Sequence, residues 1–269
     1  MNSEPTLEIL ISTMNRKDIS FLKAMFPHHE LVDLQILIVN QTQLNEDLVS
    51  DVESIRVINS RESGLSKSRN LAIENAIGDI LVIADDDIQY LPNFEKTILE
   101  AYEKYDQASL ISFQYLDENH KLSKIYPRKE GYIKRTKQYL SSVEMTFKAS
   151  HIQHHKLRFN VDFGLGAKFV CAEEQVLRHV FISRGLKVVF VRTPILIHKG
   201  KTSTSDMGRP DLVRAITAYK YLVYKKWAYL WLLKYIFFLY RYDYIPFVDM
   251  LKTYRYGYEG ILEIIKTNR

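Results

Sequence analysis

Four short, mostly apolar runs rich in β-branched residues constrain this chain more than any other feature. They are Leu7–Ser12 (L-E-I-L-I-S), Leu34–Asn40 (L-Q-I-L-I-V-N), Ile55–Ile58 and Ile80–Ala84 (I-L-V-I-A). Runs of this kind read as strands covered on both faces, because a half-exposed strand alternates apolar with polar. Helical stretches lie between them. The clearest is Ser66–Ile77, with Ser66 as its N-cap and Gly78 as its stop; Pro92–Tyr105 is another, with Pro92 suited to a first turn. The order β-α-β-α-β-α predicts an α/β fold with a Rossmann-like, mostly parallel central sheet.

The pattern weakens downstream. Residues 115–160 are polar and poorly periodic, with one possible strand at Val143–Lys148. Glu173–Arg184 reads as a helix closed by Gly185, and Lys187–Val191 and Ile195–His198 as short extended runs. Lys199–Pro210 has loop composition and is expected to act as a lid that closes over a bound ligand.

Charge divides the chain in two. Residues 209–269 carry 11 Lys and Arg against 5 Asp and Glu, whereas residues 1–208 are near neutral, with 26 against 27. Sixteen of the 33 aromatic residues also fall in the last segment. The expected organisation is a near-neutral body over 1–208 and a basic, aromatic helical appendage over 209–269, with different jobs. The lone Cys171 excludes a disulfide framework and a multi-cysteine zinc site, and fits a small buried filler. The N-terminal stretch lacks the basic region of a secretory signal, so none is expected.

The strongest chemical signal is Asp85-Asp86-Asp87, directly after the buried run Ile80–Ala84. Ligands of open α/β sheets bind at the carboxyl ends of the strands. Three adjacent carboxylates repel one another and call for a cation, and their hard oxygens suit Mg²⁺ or Mn²⁺ shared with substrate phosphates. A solvated acidic turn is the plain alternative. A D-x-D-x-T phosphatase is excluded by the continuation Ile88-Gln89-Tyr90. Upstream, Gly64-Leu65-Ser66-Lys67-Ser68-Arg69-Asn70 opens the helix that feeds this strand. Arg69 and the helix N-terminus could meet an anion there; taken alone, the segment reads sooner as a capped helix with an exposed Arg.

In combination these segments resemble the family 2 glycosyltransferases of GT-A fold, over Leu7 to about His198. The resemblance implies a nucleotide pocket lined by Ile9–Arg16, with Ser12, Thr13, Asn15 and Arg16, and a base read at Asn40 on the second strand. It also implies nucleotide contacts from Gly64, Leu65 and Arg69. Asp85 and Asp86 would lie near ribose and diphosphate, and Asp87 would hold the metal with His198. Phe163–Phe169 resembles the family's acceptor-side turn, and Ala172-Glu173-Glu174 its x-E-D motif, making Glu174 the general base with Glu173 as neighbour or alternate. Three departures stand out: Met14 replaces a usual Tyr, Asn40 a usual Asp, and Glu174 the Asp of the motif.

The implied activity is inverting, Mn²⁺- or Mg²⁺-dependent sugar transfer from a nucleotide-sugar, a UDP-sugar by resemblance, to a hydroxyl of a glycan or lipid-linked glycan in surface polysaccharide biosynthesis. A non-catalytic sugar-nucleotide-binding or scaffold protein on the same fold is the alternative. A nucleotidyltransferase would need a Gly-rich loop that S-T-M-N-R-K-D lacks.

Trp227–Tyr240 is apolar for 14 residues apart from Lys234, short of the roughly 20 needed to span a bilayer. With Lys225, Lys226 and Arg241 around it, it reads as an interfacial helix. Trp227, Trp231, Phe237 and Phe238 would insert, while Lys225, Lys226 and Lys234 face anionic lipid on the cytoplasmic side of the cell membrane. Packing on the protein's own core or in a homo-oligomer is the alternative; a nucleic-acid partner is not expected. His151, His154 and His155 show no ligand spacing and read as a surface cluster.

Overall fold

The computed structural model describes residues 5–43, 46–133, 139–199 and 206–267. Within the expected lid, residues 200–205 lie outside that set. The first half contains β1 (Leu7–Met14), α1 (Leu22–Met25), β2 (Gln35–Gln41), β3 (Ile55–Ser60), α2 (Leu65–Asn75), β4 (Ile80–Asp85), β5 (Ile88–Tyr90), α3 (Phe94–Lys104) and β6 (Ala108–Leu116). Then follow β7 (Gly131–Tyr132), β8 (Met145–Lys148), α4 (Ala149–His154), α5 (Glu173–Ser183), β9 (Lys187–His198), α6 (Pro210–Tyr224), α7 (Ala228–Arg241) and α8 (Met250–Thr267).

Among the described residues the strands form one sheet in the order β3-β2-β1-β4-β8-β6-β9-β5, with β7 beside β9. β1 pairs in parallel with β2 and β4, β2 with β3, and β6 with β9; β8, β5 and β7 run against their neighbours. The longer strands therefore share one direction, and the sheet is mostly parallel.

Both faces are covered, as the apolar runs require. Ile9, Ile36, Ile38 and Val82 point to a core shared with α1 and α3, and Leu10, Leu37, Val39 and Ile83 to the opposite core with α2, α4 and α5. Three elements depart from the sequence reading. β6, absent from it, lies near the middle of the sheet. β5 is a three-residue strand hidden after the Asp triplet. β9 is continuous across the two runs assigned separately, with its register against β6 shifted around Pro194.

Helix caps also differ. α2 starts after Gly64, and the Ser66 hydroxyl caps nothing: it is buried and donates to the Phe163 carbonyl at 2.6 Å. α2 stops at Asn75 because Ala76 is extended, and the Gly78 N–H donates to the buried Glu8 carboxylate at 2.8 Å. α3 begins at Phe94, two residues past Pro92, after Asn93 in a left-handed conformation.

The C-terminal helices extend the core. Leu212, Ala215 and Ala218 of α6 and Ile264 of α8 pack with Phe163, Phe169, Ala172 and Val176 of the body. Gly260 of α8 meets the Arg214 backbone of α6, leaving no room for a Cβ. α7 buries Leu232, Tyr235, Ile236 and Leu239 against this pair. Trp231 and Phe238, expected to insert into lipid, are turned partly inward instead. Trp231 stacks on Tyr235 at 4.8 Å, and Phe238 packs against Tyr242 at 4.8 Å. Trp227, Phe237, Lys225, Lys226 and Lys234 are exposed. Among the described residues no helix is long and apolar enough to cross a membrane.

Candidate active site

The carboxyl ends of β1 and β4 and the start of α2 frame a cleft of about 500 Å³. It is lined by Ser12–Arg16, Gln41, Gly64, Leu65 and Asp85–Asp87. Asp86 anchors this side. One of its oxygens accepts from Thr13 Oγ1 at 2.5 Å and from Arg16 Nε and Nη2 at 2.9 and 2.7 Å. The Arg16 guanidinium also lies 4.7 Å above the Phe21 ring. Asn15 takes a left-handed φ of 55°, which turns the chain at the strand end.

Asn40 does not reach the cleft, contrary to the expectation that it reads the base. It is fully buried. Its Oδ1 accepts from the Arg16 N–H at 3.1 Å, and its Nδ2 donates to the Arg16 carbonyl and to Asn59 Oδ1, both at 3.0 Å. Its amide braces the turn that carries Arg16.

A second cleft of about 280 Å³ adjoins the first and shares Leu65, Asp85, Asp87 and Leu165 with it. Its own walls are Arg69, Tyr115, Tyr139, Ser141–Val143, Val170, Cys171, Glu173, Glu174 and His198. The Asp strand end is thus common to both clefts.

Arg69 corrects the sequence reading most sharply. It is 1 % exposed rather than a solvent-facing first-turn residue. Its Nη1 donates to Glu173 Oε1 at 2.9 Å, and its Nη2 to Asp85 Oδ1 and Ser142 Oγ, both at 2.8 Å. Burial opposes its charge, but Asp85 and Glu173 outweigh burial and raise its pKa further. The guanidinium is occupied in tying the Asp strand to the glutamate pair, so its expected contact with a diphosphate does not fit this geometry.

Glu173 and Glu174 open α5 and are both buried. Burial and then the neighbouring Glu173 charge push the Glu174 carboxyl well above the usual carboxylate range. The Cys171 thiol is also raised, by burial and then by Glu174, which makes it inert at neutral pH.

The small strand β5 builds the remaining corner. Its register against β9 sets Ile88 opposite His198, and the preceding residue, Asp87, comes alongside. His198 Nε2 and Asp87 Oδ1 are 3.2 Å apart. Their hydrogen bond lowers the Asp87 pKa and raises that of His198. The ring of Tyr115 meets His198 edge-on at 5.8 Å. A carboxylate oxygen and an imidazole nitrogen this close, both facing the cleft, fit a shared Mn²⁺ or Mg²⁺. Among the described residues no group of three His, Cys, Asp or Glu is arranged as a metal cage. The ion would therefore take its other ligands from phosphate and water.

The turn Phe163–Phe169 closes the groove from above. Gly164 and Gly166 have φ of 107° and 77°, and a Cβ on Gly166 would come within 3.3 Å of the Gly64 backbone. The Leu165 carbonyl accepts from the Leu65 N–H at 2.9 Å, pinning the turn to the start of α2. Several lining residues escaped the sequence reading: Gln41, Tyr115, Tyr139 and Ser141–Val143. One signal was available. Ser141-Ser142-Val143-Glu144 has capping-box spacing, and Glu144 accepts from the Ser141 N–H at 2.8 Å.

The site thus combines a mostly parallel α/β sheet, an acidic strand end shared by two clefts and a buried glutamate pair that lines one of them. The family model described as "Glycosyl transferase family 2" matches residues 4–163, more than half of the chain, and the chain belongs to that family. The matched span contains Gly64–Asn70 and Asp85–Asp87 and ends before Glu173, Glu174 and His198.

Among solved structures, S. aureus TarS 1-349 in complex with UDP superposes with a TM-score of 0.56 and 12 % identity, over 80 % of this chain and 65 % of that one. The same protein in complex with UDP-GlcNAc gives 0.53 and 10 %, over 80 % and 66 %. A longer S. aureus TarS structure gives 0.55 and 11 %, over 79 % and 39 %. The chain thus spans about two thirds of the shorter TarS chain. At these identities the likeness shows the fold, which is the GT-A fold expected from the sequence. No sequence match is found among curated proteins.

Proposed function

We propose that the protein transfers a sugar, with inversion, from a UDP-sugar to a hydroxyl of a glycan acceptor in surface polysaccharide biosynthesis. The observation that carries this reading is the acidic strand end shared by two clefts. Inversion demands a donor diphosphate and an acceptor hydroxyl on opposite sides of one reacting centre, and two clefts that meet at Asp85 and Asp87 support that arrangement. The nucleotide lies along Ser12–Arg16 and Gly64–Leu65. Met14 offers the base a polarizable thioether in place of an aromatic ring.

Glu174 accepts the proton of the acceptor hydroxyl as its oxygen bonds to the anomeric carbon. The bond from that carbon to the diphosphate breaks, and UDP leaves with the electron pair. A carboxylate with a raised pKa is the stronger base for this step, and general-base catalysis is worth about 10²–10⁴ in rate. Glu173 stays paired to Arg69, and its charge beside Glu174 adds to the basicity of that carboxylate. Asp87 and His198 would hold the divalent cation, which when bound supplies positive charge against the leaving diphosphate.

The test is turnover with UDP-, GDP-, dTDP- and CMP-sugars, read as nucleoside diphosphate or monophosphate release with Mn²⁺ and with EDTA. UDP-sugars should be consumed, and EDTA should suppress the reaction. A protein that neither binds nor consumes any of them would sink the proposal.

A further inference from the structure

The inward face of α7 is satisfied by the core; its outward face is not. Trp227 just before the helix and Leu230, Leu233 and Phe237 on it are exposed, with Trp227 at 66 % and Phe237 at 58 %. Their spacing, extended by Tyr240, is that of one helical face. Phe237 meets the Tyr240 ring at 6.4 Å, and Tyr240 meets Phe247 at 5.7 Å, so the stripe continues into the next turn. There Phe247, Val248 and Leu251 are exposed as well, Val248 at 83 %. A surface this apolar is not needed for the fold, since Leu232, Ile236 and Leu239 already anchor the helix.

Charge identifies the occupant. Lys234 and Arg241 lie within the same stripe by helical spacing, and Lys225, Lys226, Lys252 and Arg255 flank it; the acids in this stretch are Asp243 and Asp249. Cationic side chains on an apolar face extend their heads beyond it toward a polar, negative layer. A second copy of this chain would bring the same positive charges together. An anionic lipid surface matches both the apolar stripe and its cations, each basic residue contributing attraction that salt weakens.

We propose that the outward face of α7, together with Phe247, Val248 and Leu251, docks the protein on an anionic bilayer without crossing it. In a cell this is the inner leaflet of the plasma membrane, where a lipid-linked glycan acceptor would be within reach. The docking residues are Trp227, Leu230, Leu233 and Phe237, not the inward-turned Trp231 and Phe238. The inference stands apart from the transfer reaction, because no residue in it lines either cleft.

The experiment is co-sedimentation of the full chain with vesicles of phosphatidylcholine alone or with phosphatidylglycerol added, at low and high salt. Binding should appear only with phosphatidylglycerol and weaken with salt. The variant L230S/L233S/F237S, altered only at exposed positions, should keep its melting temperature and bind about tenfold or more weakly. In a Trp231→Phe background, Trp227 is the sole tryptophan, and its emission should shift to the blue on adding anionic vesicles. Absence of wild-type binding at low salt overturns the proposal. So does binding unchanged in the triple variant. A solution dimer that the triple variant dissolves, with no vesicle binding by the wild type, would make the face an interface between copies and overturn it as well.

Discussion

The two halves of the groove are built differently. The donor half is made of strand ends, the turns that follow them and one helix start: Ser12–Arg16 at the end of β1, Asp85–Asp87 at the end of β4, Gly64–Leu65 at the start of α2. The base half is assembled from distant pieces: Tyr115, Tyr139–Val143, Val170–Glu174 and His198. One half is a property of the sheet edge; the other is a property of packing. Arg69 joins them. It sits in a donor-side motif, yet its guanidinium is used on the base side and on the Asp strand at once.

That junction gives the largest expected effect. Arg69→Ala leaves Asp85 and the buried Glu173 without their common partner, and breaking a buried ion pair costs about 3–5 kcal/mol. Thermal or urea unfolding should register a loss of that order, together with loss of turnover. A stable variant with weakened UDP binding alone would return Arg69 to the donor side.

A smaller effect tests Asn40. Asn40→Asp restores the residue usual in the family but removes the amide that donates to the Arg16 carbonyl and to Asn59. An unsatisfied buried acceptor costs about 1–3 kcal/mol. Urea unfolding should show that loss. Tighter UDP binding without loss of stability would show that position 40 reads the base after all.

The pH dependence is subtler. With its pKa raised by burial and by Glu173, Glu174 must lose its proton before it can act, so kcat/KM should climb with pH through a limb above the ordinary carboxylate range. Glu173→Gln removes the neighbouring charge and should move that limb to lower pH. Stability runs the opposite way. The folded state holds this proton to higher pH than the unfolded chain does. This contribution is therefore complete below the unfolded pKa and is lost as pH rises through the folded one. A limb that stays in place in Glu173→Gln would separate the two glutamates. Leu165→Ala, at the exposed tip of the turn over both clefts, should change KM for donor or acceptor by a few-fold at most and leave the melting temperature in place, since a surface truncation seldom exceeds about 0.5 kcal/mol.

The same contrast explains what could be read from the sequence. β1, β2 and β4 announce themselves because both faces are buried and each carries three or more consecutive apolar residues, Ile9–Ile11, Ile36–Val39 and Ile80–Ala84. β6 is equally buried but carries Ser109, Ser112 and Gln114. Ser109 Oγ meets His151 Nδ1 at 2.7 Å and Ser112 Oγ donates to the Val189 carbonyl at 3.3 Å, partners 42 and 77 residues away that no local pattern reveals. Ser66 has the composition of a cap, but its hydroxyl is held by a carbonyl 97 residues downstream. Arg69 looked solvent-facing because helix periodicity cannot show that two carboxylates converge on it. His198 beside Asp87 depends on β5, a strand too short to leave a pattern.

The separability of the two halves is tested most directly by calorimetric titration of UDP-sugar, with and without Mn²⁺, into Glu174→Gln and Asp87→Ala, alongside their turnover. Glu174→Gln should bind donor as the wild type does while its turnover falls by about 10² or more. Asp87→Ala should lose the Mn²⁺-dependent part of binding and turnover together. If Glu174→Gln weakens donor binding as much as Asp87→Ala does, or transfers at the wild-type rate, the division into a donor half and a base half is wrong.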